Sequence, residues 1–310
     1  MKTARFELRI LPVLCACLCL VTSSAALALE GGGSHYFGGN EDFSAGRWPP
    51  PGLSANLSVL SFNYSRLKDG NGQSVPVPGG FQVEGVSTSI RLMYVSGVEV
   101  LGGTLGGFVT PSLVYQHTST GGNGQSKTAT GDLNFGVVVK KDFGTFSHVV
   151  GSDFFAPTGA YTLGDVCNIG NNYWTLGPTY SFTYVGNRDS PIPRLEASAR
   201  LAYYFRTTNH ATGYSSGQDV SADYLLGYWL GDRGQLRIGV NGHYEKQVTD
   251  DEPENPPAGF DGYRNSQFTV GPAVQYSFGR AILTAKVQFG TYDRNRPEGT
   301  YFWLKFWYAF

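Results

Sequence analysis

Hydrophobic and polar residues alternate with a period of two along most of the second half of the chain. Near residue 200, Leu201, Tyr203 and Phe205 share one face, whereas Glu196 and Arg200 share the other. Such alternation is typical of β-strands, in which successive side chains point to opposite faces. It recurs in seven segments from residue 174 to the end, and no charged residue falls on their apolar face. These segments are predicted strands with one apolar and one polar face.

The first half alternates less regularly and predicts five further strands, at about 53–66, 81–95, 100–116, 128–141 and 145–155. Together the chain predicts twelve strands, each long enough for the roughly 9–11 residues that a tilted membrane crossing needs. Short turns alternate with long loops, which with an even strand number is typical of outer-membrane barrels. We therefore predict an all-β, transmembrane, antiparallel up-and-down β-barrel over residues 53–310, with both termini on the short-turn, periplasmic side.

A soluble β-sandwich or lipocalin-like barrel also alternates and is the main structural alternative. Its second face meets water and carries many charges. Here the second face is mostly Gly, Ser, Thr, Gln and Ala, and charged residues make up only 15% of the chain. The 42 glycines and the 14% of aromatic residues further disfavour a helical bundle or a disordered chain. The composition favours lipid outside the barrel and a polar lumen inside.

Residues 1–28 are predicted to be a signal peptide. Lys2, Arg5 and Arg9 form a positive start, a short apolar run follows, and an Ala-Leu-Ala tripeptide ends at Ala28. This order fits the rule for export and cleavage, and the apolar run is too short for a comfortable membrane span. We expect cleavage near Ala28 and localisation in a bacterial outer membrane.

Residues 29–52 form a separate Gly- and Pro-rich segment without alternation. It carries the aromatic and charged residues Glu41, Asp42, Phe43, Arg47 and Trp48, more aromatic character than a plain linker needs. A periplasmic tether is one interpretation. The other is a plug inside the lumen, with its aromatic side chains packed there and its charged side chains paired with lumen charges. The aromatic content favours the plug.

The polar faces of the predicted strands supply the candidate lumen residues. The charged or titratable ones are Glu196, Arg200, Asp223, Arg237, His243, Glu245, Lys286 and Lys305, and the tryptophans are Trp229, Trp303 and Trp307. A passive channel needs a lumen of graded polarity rather than a nucleophile, metal or cofactor, and none of these is expected. The charges either pair and close the barrel or tune its selectivity, and the tryptophans are either pathway residues or filler.

Several motifs resemble the phenol meta-pathway degradation-like (SphA-type) outer-membrane proteins. They are residues 30–34 (EGGGS), 40–43 (NEDF), 45–46 (AG), 49–53 (PPPGL), 177–178 (GP) and 271–272 (GP). The resemblance implies a transporter associated with the breakdown of aromatic compounds. The C-terminal aromatic residues Phe306, Tyr308 and Phe310 are similar to the signature that the barrel assembly machinery reads.

The leading functional hypothesis is passive uptake of small hydrophobic or aromatic compounds across the outer membrane. Expected partners are such a solute, membrane lipid, lipopolysaccharide and the assembly machinery. A net charge of −1 without a basic stripe argues against nucleic-acid binding. A structural or adhesive barrel with a closed lumen is the alternative. An outer-membrane lipase is disfavoured because the neighbours Ser147 and His148 point to opposite faces of a strand.

Overall fold

The computed structural model describes residues 28–231, 234–256 and 262–310. Within these ranges a short 3₁₀ turn, Glu30–Gly32, precedes fifteen β-strands that form one sheet. The strands are β1 (Gly52–Lys68), β2 (Ser74–Val75), β3 (Phe81–Val100), β4 (Gly103–Thr110), β5 (Ser112–Thr120), β6 (Asn123–Thr130), β7 (Leu133–Phe143), β8 (Phe146–Ala156), β9 (Thr175–Val185), β10 (Leu195–Arg206), β11 (Asp219–Leu230), β12 (Leu236–Gln247), β13 (Ser266–Phe278), β14 (Ala281–Arg294) and β15 (Arg296–Ala309). None of the residues in these ranges belongs to a helix long and apolar enough to cross a membrane.

The sheet closes on itself because β1 pairs with both β15 and β3. Leu60 lies opposite Trp303 on one side and opposite Ser87 on the other. Each further neighbouring pair around the wall is antiparallel. The closed antiparallel β-barrel predicted from the sequence is thus confirmed.

The described strands make twelve crossings of the barrel wall. Strands β4 and β5 are two halves of one crossing that is interrupted at Pro111, which has no backbone N–H to donate. Strands β6 and β7 are likewise halves of one crossing, interrupted at Gly131 and Asp132, and β2 is a two-residue bridge beside β1. The predicted number of twelve crossings is therefore correct.

Residues 117–126 lie between two of the predicted strands and were expected to form a long loop. They form part of a β-ribbon instead. Strands β5 and β6 pair as far as Thr120 opposite Asn123, around a turn at Gly121 and Gly122 with φ of 63° and 81°. Two central residues with positive φ match the twist of a tight hairpin. The ribbon is polar on both faces, so it lacks the apolar alternation by which the membrane-spanning strands were recognised.

On the strands of the second half of the chain, the polar face points inward. Glu196 is 0% exposed, whereas Leu201 on the opposite face of β10 is 43% exposed. The same contrast separates Asp223 from Leu226 on β11, and His243 from Val240 on β12. The apolar side chains therefore form the outer surface, and the charged ones lie in the interior.

Residues 28–51, named here the inner segment, run through that interior from end to end. At the long-loop end, the Ala28 N–H donates to the Asn295 carbonyl at 3.0 Å. At the short-turn end, the Arg47 guanidinium donates to the Gly144 carbonyl at 3.4 Å. The C-terminal residue Phe310 also lies at the short-turn end. The expectation that both ends of the mature chain share one side is therefore wrong, since the inner segment begins at the opposite end of the barrel.

Candidate functional site

Asp223 holds the middle of the inner segment. Its carboxylate accepts hydrogen bonds from the Tyr36 hydroxyl, from the Gly39 N–H at 2.7 Å and from the Glu41 N–H at 2.8 Å. His243 Nδ1 lies 2.6 Å from the same carboxylate. Hydrogen bonds to an ionised group are roughly twice as strong as neutral ones. One side chain of β11 thus organises a whole turn of the inner segment.

Asp42 lies between two lysines of neighbouring strands. Its carboxylate oxygen is 2.8 Å from Lys286 Nζ and 3.0 Å from Lys305 Nζ. Lys286 also donates to the Gly39 carbonyl at 2.5 Å, and Lys305 donates to the Asn40 carbonyl at 2.7 Å. The two lysines predicted to line the lumen therefore bind the inner segment.

Glu196, Trp229 and Arg237 come together nearer the short turns. Glu196 accepts from the Ser44 N–H at 2.5 Å and from the Trp229 indole N–H at 2.6 Å. The Arg237 guanidinium stacks 3.8 Å from the centre of the Trp229 ring and donates to Gln275 at 2.8 Å. Trp229 is therefore held between a carboxylate and a guanidinium group in the barrel interior.

The remaining predicted charges form ion pairs. Arg200 pairs with Asp153 at 2.5 Å and lies 4.4 Å from the centre of the Tyr36 ring. Glu245 pairs with Arg296 at 3.0 Å and lies 3.7 Å from His243 Nε2. The sequence analysis did not single out Asp153 or Arg296 as lumen residues.

Other members of the inner segment contact the barrel as follows. Phe43 packs with Leu225 and Ala273, and Glu41 pairs with Arg91 at 2.6 Å. Within the described residues, Arg47 forms no ion pair, although a lumen charge was expected for it. Its guanidinium instead bonds the Gly144 carbonyl and lies 3.5 Å from the Ser147 hydroxyl.

Trp48 and Trp307 close the short-turn end of the lumen with apolar contacts. Both pack against a cluster of Met93, Phe108, Val138 and Val149. The Trp48 and Phe108 rings meet at 6.2 Å in an edge-on arrangement. Lys140 donates to the Trp48 and Pro49 carbonyls, at 3.1 and 2.8 Å, and so fixes the end of the inner segment.

A cavity of about 630 Å³ lies between the inner segment and the barrel wall in the long-loop half. Its aromatic lining includes Phe37, Phe62, Tyr64, Phe155, Tyr301 and Trp303. The Phe37 and Phe62 rings stack at 5.9 Å, and Tyr64 meets Tyr301 edge-on at 5.5 Å. Of these rings, the sequence analysis singled out only Trp303 as a pathway residue.

Two of the cavity aromatic residues that the sequence analysis did not single out lie on β1. Leu60, Phe62 and Tyr64 point inward there, and Ser61 and Asn63 point outward. This order reverses the apolar-out rule that the C-terminal strands follow, so the search for an apolar lipid face did not identify these rings as lumen residues. A local reversal of polarity near a strand end was the available signal.

His35 is a further contact that was not predicted. Its ring nitrogens lie 2.8 Å from Thr175 Oγ1 and 2.8 Å from Asp132 Oδ2. His35 and Asp132 line the cavity and Thr175 is buried, so this arrangement holds the inner segment against the wall beside the cavity. Among the residues that the structure describes, no three His, Cys, Asp or Glu side chains cluster as a metal site.

The fold and its interior define a closed antiparallel barrel whose lumen is occupied by its own N-terminal residues. The sequence matches the family described as "Putative MetA-pathway of phenol degradation" over residues 64–306. The chain belongs to this family, which confirms the resemblance noted in the sequence. Among curated proteins, none matches the sequence.

Comparison with solved structures finds similar chains. An outer-membrane channel of Pseudomonas putida F1 superposes with a TM-score of 0.74 at 13% sequence identity, covering 86% of this chain and 98% of that chain. The β domain of the Bordetella autotransporter BrkA gives 0.47 at 9% identity, covering 84% and 100%. The translocator domain of NalP from Neisseria meningitidis gives 0.45 at 11% identity, covering 86% and 91%. At these identities the match with the Pseudomonas channel shows a shared fold.

Proposed function

We propose that the protein is an outer-membrane channel for the passive uptake of small hydrophobic or aromatic compounds. The observation that carries this proposal is the cavity of about 630 Å³ with its aromatic lining. Its volume falls within the roughly 300–1,000 Å³ of small-molecule sites. Offset and edge-on ring contacts contribute about 0.5–1.5 kcal/mol each beyond burial, so the lining favours an aromatic solute over a sugar of equal size.

The polar part of the cavity lining favours a solute with one polar substituent. Arg91, Gln116 and Asn134 all line the cavity. Arg91 is already paired with Glu41, so its remaining N–H groups are what a hydroxyl or carboxylate of the solute would meet. The family to which the chain belongs is described by phenol degradation, and a phenol or an aromatic acid has this combination of ring and polar group.

In this proposal the inner segment is the plug of the channel. Below the cavity it leaves little space, because a Cβ added at Gly38 would lie 2.2 Å from the His243 ring. A Cβ added at Gly46 would lie 2.4 Å from the Phe182 backbone. A solute that has entered the cavity therefore passes either when the inner segment moves or sideways through the wall.

A weak point in the wall supports the sideways route as the second possibility. The β13–β14 ladder pairs Val270 with Phe289 and resumes only at Ala273 with Lys286, so residues 271–272 are left out of it. Pro272 has no N–H for the ladder. An apolar depression of about 760 Å³ lies outside this place. Its floor is formed by small residues, among them Gly239 and Ala273.

Export and assembly complete the proposal. The signal peptide, residues 1–28, lies almost wholly outside the described residues, and we propose its removal near Ala28. Phe306 and Phe310 are exposed at the short-turn end, and the Tyr308 and Phe310 rings meet at 5.2 Å. This exposure suits recognition by the barrel assembly machinery. Lipopolysaccharide is the proposed partner of the long-loop rim.

A closed structural or adhesive barrel is the competing function. It is favoured by the pairing of the lumen charges, of which Lys286 and Lys305 on Asp42 are one example. The lumen would then be sealed by the inner segment and by its own side chains, and only the long loops would act.

Uptake into liposomes distinguishes the two functions. Vesicles with the purified protein should admit a charged aromatic acid faster than a sugar of similar size, because only the former matches the cavity. Trp303→Ala should reduce this preference. Phe205→Ala is the matched control, since Phe205 is 43% exposed on the outer face and Trp303 is 4% exposed inside. Equal exclusion of all solutes would support the closed barrel, and equal entry of both would contradict an aromatic site.

A further inference from the structure

The first described residues enter the barrel interior at the long-loop end. Ala28 and Leu29 are both fully buried. The backbone N–H of Leu29 donates to Oδ2 of Asp251 at 2.8 Å. A main-chain nitrogen at the start of the inner segment thus contacts a carboxylate of the loop between β12 and β13.

Asp251 is surrounded by neutral donors. Its Oδ1 accepts from the Gly217 N–H and from the Gln247 amide, each at 2.7 Å. Its Oδ2 accepts from the Tyr214 hydroxyl at 2.7 Å as well as from Leu29. Asp251 is 1% exposed, and burial raises the pKa of its carboxyl despite these hydrogen bonds.

In the described part of the chain, no lysine, arginine or histidine forms an ion pair with Asp251. Residues 257–261 of the same loop, which lie outside the described ranges, read PAGFD in the sequence and include no basic residue. A buried carboxylate without a cation is costly, and proteins almost always pair such a group. The surroundings of Asp251 therefore lack one positive charge.

Glu30 adds a second unpaired carboxylate beside the first. Its oxygens accept from the Asn209 amide at 2.8 Å and from the Thr212 hydroxyl at 2.7 Å, which are neutral donors. No ion pair involves Glu30 within the described ranges. The residue next to Leu29 therefore brings a second carboxylate without a cation to this end of the inner segment, while Asp251 contacts the Leu29 nitrogen itself.

We propose that Leu29 is the first residue of the mature protein and that its α-ammonium group forms a buried ion pair with Asp251. Hydrolysis of the Ala28–Leu29 peptide bond by the export peptidase adds the hydroxyl of water to the Ala28 carbonyl carbon and a hydrogen to the Leu29 nitrogen. The resulting amine takes up a further proton at neutral pH, since a free α-amino group titrates near 7.7–8.0. The Ala-Leu-Ala tripeptide fits such a cleavage site.

The consequence is a coupling between processing and closure of the barrel. Before cleavage, the Leu29 nitrogen is a neutral amide that supplies one hydrogen bond. After cleavage, the same atom carries the charge that Asp251 lacks, so the inner segment is held more strongly at the long-loop end in the processed chain. This inference does not depend on which solute the barrel transports.

The first test is the mass and N-terminal sequence of the protein purified from outer membranes. We expect a single species that begins with Leu29. A mature chain that begins at any other residue would overturn the proposal, because only a new terminus at Leu29 places its charge on Asp251.

The second test measures how fast the α-amine is reductively methylated by formaldehyde and cyanoborohydride at pH 7. A paired, buried ammonium should react at least about tenfold more slowly in the folded protein than after heating in detergent, because one unit of pKa is a factor of ten in the reactive free amine. Asp251→Asn should restore fast labelling. Equal rates in the folded and unfolded wild-type protein would refute the ion pair, whatever the variant does.

Asp250→Asn is the matched control for this experiment. Asp250 is the neighbouring carboxylate, but it lies at the surface and pairs with Arg264 at 2.6 Å. Its replacement should leave the α-amine protected. If Asp250→Asn exposed the amine as much as Asp251→Asn, the protection would come from the loop in general and not from Asp251.

Discussion

The hydroxyl of Tyr36 donates a hydrogen bond to the carboxylate of Asp223, and this contact joins the inner segment to the barrel wall across 187 positions of sequence. The same carboxylate receives two main-chain N–H groups and a histidine ring. Because the donors come from two parts of the chain, Asp223 holds both the inner segment and the His243 side chain of the lumen in place.

Asp223→Asn should loosen the inner segment while the barrel persists. The amide loses the negative charge that His243 and three donors share, and breaking a buried charged contact typically costs about 3–5 kcal/mol. We expect faster proteolysis within residues 28–51 and a higher ion conductance in planar bilayers. Asp189→Asn, at the exposed turn between β9 and β10, is the control and should change neither. An unaltered protease pattern in Asp223→Asn would show that other contacts suffice.

The strands could be predicted because the membrane imposes a strong contrast. Each crossing has one face against lipid and one against a polar interior, so the absence of charge from one face was visible for residues such as Leu201 and Leu226. The inward positions of Arg200 and Lys286 followed from the same alternation. The polar β5–β6 ribbon meets lipid on neither face and gave no such signal.

The partners in the lumen could not be predicted. Asp42 and Lys286 are 244 positions apart, and nothing local in either neighbourhood indicates that they meet. Their pairing depends on how the inner segment threads through a closed barrel. The aromatic cavity was missed for a related reason, because Phe62 and Tyr64 point inward on a strand whose polarity is locally reversed.

Asp42 and Lys305 should show a large coupling energy. Asp42→Asn leaves two buried ammonium groups without an anion, so we expect a loss of about 3–5 kcal/mol in the free energy of unfolding. Lys305→Met leaves the pair between Asp42 and Lys286 and should cost less. In the double variant, only one ammonium group is left without an anion. Its loss in the free energy of unfolding should therefore be smaller than the sum of the losses in the two single variants. Urea unfolding in micelles measures all three values, and strict additivity would mean that Lys305 does not contribute to the pair.

The close fit of the inner segment predicts that single methyl groups will displace it. Ala at Gly39 would place its Cβ 2.1 Å from the Gln288 amide, in a backbone conformation with φ of +78°. Overpacking typically costs about 1–3 kcal/mol, and the strained φ adds to it. Gly39→Ala should therefore lower the melting temperature and raise the conductance. Gly33→Ala lies in the same segment with no atom within 4 Å, so it should behave as the wild-type protein. Equal behaviour of the two variants would contradict tight packing.

Removal of residues 30–48 should open the lumen and make it select for anions. These residues contain three acidic side chains (Glu30, Glu41 and Asp42) and one basic side chain (Arg47), so their loss raises the lumen charge by two. Lys286 and Lys305 then face water without Asp42, and a lumen lined by unpaired cations favours anions. Bilayer recordings in a salt gradient give the sign of the selectivity. A Gly/Ser replacement of the same length should have the same effect, because it also lacks the anchoring side chains. A truncated barrel that folds but does not conduct would show that side chains of the wall close the lumen. That result would support the closed structural barrel.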